Sequence, residues 1–231
     1  MPVIQDEEFG KITIRRSARA TQVRVRVGPD GTLRASLPLY APIFLVKRLL
    51  KSSRTELRSM FTQARPDEPY NDGMRIGKSH SLIVRPSSMN LIKVSRHHQQ
   101  IIVQLPEGKT LENTEVIRAI RDAIISALRL EAKSYLPKRL SFLSDKHSFS
   151  YDSVRFSHAS GRWGSCSSTG TISLNIALMK LPFELIDYVI IHELSHTRHM
   201  NHSQAFWDVV GSIDPHYQVH RRALKLEKPS I

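Results

Sequence analysis

Apolar and polar residues alternate through the first third of the chain. Val23, Val25 and Val27 are separated by Arg24 and Arg26, and Leu33, Ala35 and Leu37 by Arg34 and Ser36. Side chains on a strand point alternately to its two faces, so this period predicts a half-buried hairpin, turned at Gly28-Pro29-Asp30-Gly31. From Pro42 the period lengthens. Phe44, Leu45, Leu49, Leu50, Leu57 and Phe61 recur at helical spacing, with Pro42 suited to the first helical position. Residues 66–72 read as a polar loop. Further strands are expected at 81–84, 91–94 and 101–105, closed by Pro106-Glu107-Gly108. A soft boundary is expected near residue 110, dividing a β-rich part, 1–110, from a second domain, 111–231.

The second half opens on a long helix, with Asn113 or Thr114 as its cap and Val116, Ile117, Ile120, Ile124, Leu128 and Tyr135 on its apolar face. Pro137 removes a helical N–H and is expected to kink or end this helix. Residues 154–156 and 171–174 read as paired strands, with the segment Gly161–Gly170 between them. A final apolar helix is predicted from about Pro182. Phe183, Ile186, Val189, Ile190 and Leu194 give it a buried character, and Glu184 suits its first turn. No internal repeat is visible, and the fold class expected is α+β.

That last helix carries the chemistry. Ile191-His192-Glu193-Leu194-Ser195-His196 contains His-Glu-x-x-His. Residues four apart lie on one helical face, one turn up, so both imidazoles can grip one zinc ion. Glu193 is rotated by about 100° from His192. It therefore sits beside a metal and not on it, where a carboxylate can take a proton from a polarised water. Buried histidines and a glutamate would be costly without partners, and a metal accounts for them. A catalytic zinc site needs a third protein ligand. Asn201 can adopt a left-handed conformation, end the helix and let the chain return His202 to the metal. This spacing matches the metzincin pattern, but position 199 is His where that pattern has Gly. His199 is a rival third ligand with worse geometry, and its plain reading is a cation at the helix C-terminus.

Charge and composition refine the picture. The chain has 231 residues, 40% of them apolar, and a formal net charge of +13. It is therefore a folded globular protein, and its basic balance raises a nucleic acid as a possible partner beside a peptide or protein substrate. The Lys and Arg residues are scattered, however, and no nucleic-acid motif accompanies them. No apolar run spans a membrane, and residues 1–8 carry no secretory pattern. With a single cysteine, Cys166, the expected setting is a reducing cytoplasm.

The same residues resemble the YgjP-like metallopeptidase family, related to the SprT and WLM proteases. His192–His196, Asn201-His202-Ser203 and Phe206-Trp207 carry the resemblance most specifically. Arg162-Trp-Gly-Ser-Cys-Ser167 is similar to the family's second signature. Leu136-Pro137-x-Arg139-Leu140 and Arg15-Arg-Ser-Ala-Arg19 add weaker matches. The resemblance implies a zincin-like core, with the active-site helix over a small antiparallel sheet. It also implies zinc ligands at His192, His196 and His202, with Glu193 as catalytic base. The function expected is zinc-dependent peptide hydrolysis. The alternatives are a nucleic-acid-associated SprT-like protease and a non-catalytic, zinc-stabilised interaction module. Substrate and oligomeric state are not written in the sequence.

Several neighbours have plainer readings. The segment Arg162–Cys166 is expected to border a strand near the active helix, where an edge can pair with an extended substrate. Trp163 is favoured as core and Cys166 as a buried small side chain. Phe206 and Trp207 are expected to pack the third-ligand turn. Asp208 is a weaker candidate to orient a ligand imidazole, and His216, Tyr217 and His220 are candidates to face an oxyanion. Gly73-x-x-x-Gly77-Lys78-Ser79 hints at a phosphate loop but is one residue short and follows no buried strand. His97-His98 reads as a solvent-facing pair.

Overall fold

The structure is a computed structural model that describes residues 2–27, 33–63, 69–229 and 231, with the side chains of Lys11 and residues 59–63 outside that description. The fold is α+β, as expected. The chain forms two compact units, Met1–Pro69 and Tyr70–Ile231. The division thus falls some way before residue 110. The reason is packing: Ile76, Leu82, Ile101 and Val103 share one core with the long helix that follows them.

The first unit holds strands β1 (Val3–Asp6), β2 (Gly10–Arg16), β3 (Arg24–Val27) and β4 (Leu33–Leu37), followed by helices α1 (Phe44–Ser52) and α2 (Arg54–Gln63). β3 and β4 pair antiparallel, Val25 opposite Ala35, as the alternation predicts. The turn at 28–31 and the first part of the 66–72 loop lie outside the described residues, as does the Phe61 side chain. The single helical run from Phe44 is in fact two helices, and the buried face is carried by Val46, Leu50 and Leu57. Phe44 is exposed.

The second unit begins with β5 (Arg75–Ile76), β6 (His80–Ser87), β7 (Lys93–His97) and β8 (Gln100–Pro106). Its strand order, β5-β6-β8-β7, repeats the β1-β2-β4-β3 order of the first unit. The strand senses also match. The central pairs β2–β4 and β6–β8 are parallel, and the outer pairs are antiparallel. The architecture therefore repeats where the sequence gives no visible repeat, because strand order is a pattern of pairing and not of residue identity.

Helix α3 (Thr114–Lys146) runs for 33 residues and continues past Pro137. Of the expected kink or end at Pro137, the end does not occur, since Leu136, Leu140 and Leu143 are buried in the same core as Ile120 and Leu128. Continuing the helix keeps those side chains out of water, which outweighs one lost backbone hydrogen bond. Asn113 occupies the cap position, but its side chain accepts from the Thr110 amide at 2.6 Å and not from the helix.

A three-stranded sheet follows, formed by β9 (Ser153–Ser157), β10 (Gly164–Cys166) and β11 (Thr171–Asn175) in the order β10-β11-β9. It is mixed and not antiparallel throughout. β9 and β11 pair in parallel, Val154 opposite Ile172, while β10 pairs antiparallel with β11 and forms an edge. A short 3-10 helix, Ile176–Lys180, leads into α4 (Phe183–Ser195), α5 (Gln204–Ile213) and α6 (Tyr217–Leu226). Helix α4 packs on α3, β10, β11, α5 and α6. Arg139 of α3 fixes its register by a two-pronged pair with Asp187, Nε to Oδ1 at 2.7 Å and Nη2 to Oδ2 at 2.5 Å. No helix among the described residues is long and apolar enough to cross a membrane.

Candidate active site

Ile186, Val189, Ile190, Ile191 and Leu194 sink α4 into the core, so its fourth-residue face is held rigidly. His192 and His196 stand one turn apart on that face. The helix ends at Ser195, with His196 as its cap in right-handed backbone geometry. Hydroxyls terminate it: Ser195 Oγ donates to the Ile191 carbonyl at 2.8 Å and Thr197 Oγ1 to the Leu194 carbonyl at 2.7 Å. The left-handed turn expected at Asn201 is absent. Among the described residues only His98 and Ser148 have positive φ without being Gly. The chain leaves the helix five residues earlier than that expectation allowed, so it has room to turn back without a left-handed residue. Arg198 secures the turn, donating to the His147 and Ser148 carbonyls at 2.9 and 2.8 Å.

This return brings His202 against the helical pair. One ring nitrogen from each of His192, His196 and His202 lies within 4.8 Å of the others, and Nε2 of His202 is 3.1 Å from Nε2 of His192. Two nitrogens bound to one tetrahedral zinc at ordinary bond lengths stand about 3.3 Å apart, so the spacing fits that ion. His196 Nδ1 meets the His199 carbonyl at 3.0 Å. That contact leaves Nε2 as the ring nitrogen free for a metal, the usual way an outer partner fixes a ligand's tautomer and orientation. His199 therefore contributes its backbone, and its imidazole is not in the triad. Nδ1 of His192 is buried without a hydrogen-bond partner. Burial, with the nearby His196, His202 and Arg221, lowers the His192 imidazole to about 3. Burial likewise lowers His196, aided by His202 and opposed by the His199 carbonyl. Both shifts favour the neutral ring, the form a metal ligand requires.

Glu193, the next residue on α4, reaches the edge strand. It is 6% exposed, and burial pushes its carboxyl up to about 8, opposed by the charge of Arg162. Gly164 lies directly against it. A Cβ at Gly164 would stand 2.6 Å from Glu193 Oε1 and 2.7 Å from its Cγ, so only glycine lets the strand and the carboxylate approach this closely. The segment before the strand is pinned by the fully buried Asn175, whose Nδ2 donates to the Ala159 and Arg162 carbonyls at 2.6 and 2.9 Å. Asn175 does not stand out in the sequence, and Gly164 does so only as part of the Arg162–Ser167 segment. Trp163 and Cys166 pack against the core, and Cys166 lies outside the metal-binding cluster. Burial and the Glu193 charge raise the Cys166 thiol.

Phe206 and Trp207 pack the ligands as expected. The fully buried Phe206 ring touches all three histidines, with centroids 4.6–5.0 Å away. Trp207 stacks on His202 at 5.6 Å and on Tyr217 at 5.5 Å, with the Arg221 guanidinium 4.5 Å over its ring. Asp208 does not reach an imidazole in this arrangement; it accepts from Gln204 Nε2 at 2.8 Å. His220 pairs with Asp214 at 2.7 Å, and the rings of both it and His192 lie tilted against the buried Tyr188, with centroids 6.2 and 6.0 Å away. His216 is exposed and holds no contact with the triad.

The Gly77-Lys78-Ser79 turn binds an anion after all, but an internal one. The Glu131 carboxylate of α3 accepts from the Lys78 and Ser79 amides at 2.7 and 2.9 Å, from Ser79 Oγ at 2.8 Å, and lies 2.6 Å from His80 Nδ1. His97 and His98 are exposed, as expected.

No curated protein matches the chain in sequence. Among solved structures it is similar to the metallopeptidase zymogen of Pyrococcus abyssi abylysin, at 26% identity over 38% of this chain and 90% of that one, with a TM-score of 0.36. The sequence profile of the YgjP-like metallopeptidase domain matches residues 21–227. That match spans nearly the whole chain, including the histidine triad, Glu193 and the strand beneath it, and the chain belongs to the YgjP-like metallopeptidase family.

Proposed function

We propose that the protein is a zinc-dependent peptidase in which His192, His196 and His202 hold the metal and Glu193 is the general base. The convergence of three imidazole nitrogens, with a buried carboxylate on the next residue of the same helix, carries this reading. Three nitrogen donors with no thiolate among them suit zinc, and three protein ligands leave a position open. Bound there, zinc would supply Lewis acidity toward a water and a peptide carbonyl. The chain's own residues do the rest. The free edge of β10 offers backbone N–H and C=O groups to an extended peptide, which lays the scissile bond along the carboxylate side of α4. Glu193 accepts a proton from the attacking water and delivers it to the leaving amine nitrogen. Phe206 and the His199 carbonyl keep the imidazoles from turning.

The direct test is metal content. The purified chain is expected to carry one zinc per molecule after reconstitution, and His192→Ala or His196→Ala to carry none. A folded wild-type chain that takes up no zinc overturns the assignment. Gly164→Ala probes the neighbouring strand. Its Cβ displaces the Glu193 side chain, so peptidase activity is expected to fall about 10–100-fold while zinc content stays at one. Unchanged activity in that variant would separate Glu193 from the chemistry.

A further inference from the structure

A second recognition element stands beside the triad. Helices α5 and α6 flank an open cleft of about 390 Å³ whose walls include Trp207, Tyr217, Gln218, Arg221, Arg222 and Lys225. Three of these side chains are cationic, and no carboxylate lines the cleft. Helix α6 itself, Tyr217–Leu226, contains no acidic residue. One wall is shared with the metal centre, since Trp207 is the ring stacked on His202. Arg221 lies over that same ring, and its charge reaches His192. Arg222 is steadied by donating from Nε to the Gln218 carbonyl at 3.2 Å.

We propose that this cleft is a substrate subsite that binds a carboxylate of the peptide, so that the enzyme selects peptides acidic near the scissile bond; this rests on the peptidase reading above. Size and place both argue for it. A residue of extended chain spans about 3.3 Å, so a side chain within a residue or two of the scissile bond reaches past Trp207. The aromatic wall excludes water on one side and takes the aliphatic stem of a Glu, while the cations meet its head. Arginine suits that role because its planar fork matches a carboxylate. A nucleic acid fits less well: binding through phosphates takes a long track of contacts, whereas this is a compact cleft with three cations next to a metal triad.

The test uses the zinc-loaded full chain and a matched peptide set with Glu, Gln or Lys on either side of the cleaved bond, each made with a free or an amidated C-terminus. The Glu peptide is expected to be cleaved with kcat/KM about tenfold above its Gln isostere. The double variant Arg222→Glu/Lys225→Glu is expected to bring that ratio to about one or below and to favour Lys, with zinc content still one per chain. If the preference instead follows the free C-terminus, the same subsite reads a terminal carboxylate. A Glu-to-Gln ratio near one in the wild type, or a ratio the double variant does not move, overturns the proposal. So does salt-sensitive binding of a 20-nucleotide strand that the double variant abolishes while the peptide ratio is one. Should the wild type cleave no peptide at all, the peptidase reading fails on its own. The subsite is then decided by titrating the Glu and Gln peptides into Glu193→Gln and following Trp207 fluorescence: tenfold tighter binding of Glu, lost on charge reversal, supports it, and equal binding ends it.

Discussion

Replacing Glu193 with Gln is expected to lower kcat by roughly 10²–10⁴-fold while zinc content stays at one per chain. The two halves of this outcome separate a base from a ligand. Glu193 leaves α4 about 100° round from His192, lies against Gly164 and is not one of the three clustered side chains, so its replacement is expected to take nothing from a bound metal. An amide of the same shape fills the same space beside Gly164 but cannot accept a proton. The protein should not lose stability either. The side chain is 6% exposed and burial pushes its carboxyl up to about 8, so its surroundings favour the neutral acid. A neutral amide of the same shape suits the same surroundings, and the melting temperature should hold. Turnover at the wild-type rate, or zinc lost together with activity, would sink the assignment.

The contrast between Glu193 and its surroundings shows what could be read from the sequence. His192, Glu193 and His196 lie within one helical turn of each other, so the period of the helix alone places them. That His202 joins the two helical histidines was legible because only a short return is needed, though its route was not: Ser195 and Thr197 hydroxyls and the early helix end replace the left-handed Asn201. Strands β3, β4, β6, β7, β8, β9 and β11 and much of the α3 face followed from alternation and helical spacing, whereas β1, β2 and β5 did not. What escaped depends on contacts between distant segments. Gly164 meets Glu193 across 29 positions, and Asn175 fixes the loop ahead of β10 from the far end of β11. Pro137 misleads locally because burial of Leu136 and Leu140 overrides its local preference. Parallel pairing of β9 and β11 with β10 outside them could not be told from a simple hairpin by periodicity, which reports which face is buried and not which strand is the neighbour.

The Gly77 turn gives the second large effect. Its backbone amides and small residues are suited to an anion, and the occupant arrives from α3, 52 residues on. Glu131 is 8% exposed, and burial alone would raise its carboxyl; the Lys78 amide, His80 and the Ser79 donors overcome that and lower it. Glu131→Gln leaves the two amides, the Ser79 hydroxyl and His80 facing a group with one acceptor and an unwanted NH2. Removing one partner from a buried, fully bonded charge costs on the order of 3 kcal/mol, which for a unit of this size lowers the melting midpoint by roughly 6–12 °C. Gly77→Ala should be comparably damaging. Its backbone has φ of +61°, and a Cβ there would lie 2.3 Å from Glu131 Oε2 and 2.7 Å from Leu128 Cδ2. Because both changes break one arrangement, the double variant should lose clearly less than the sum of the two. The pH dependence has a fixed sign. The carboxyl of the folded state lies below its ordinary value of 4.5, so the contribution is fully present above that value and is lost as the pH falls through the lower folded one. Glu131→Gln should therefore be destabilised at neutral pH and approach the wild type in acid. A loss within about 0.5 kcal/mol at neutral pH, the range of ordinary surface changes, would mean that the bonds to Glu131 do not hold the β5–β6 turn to α3.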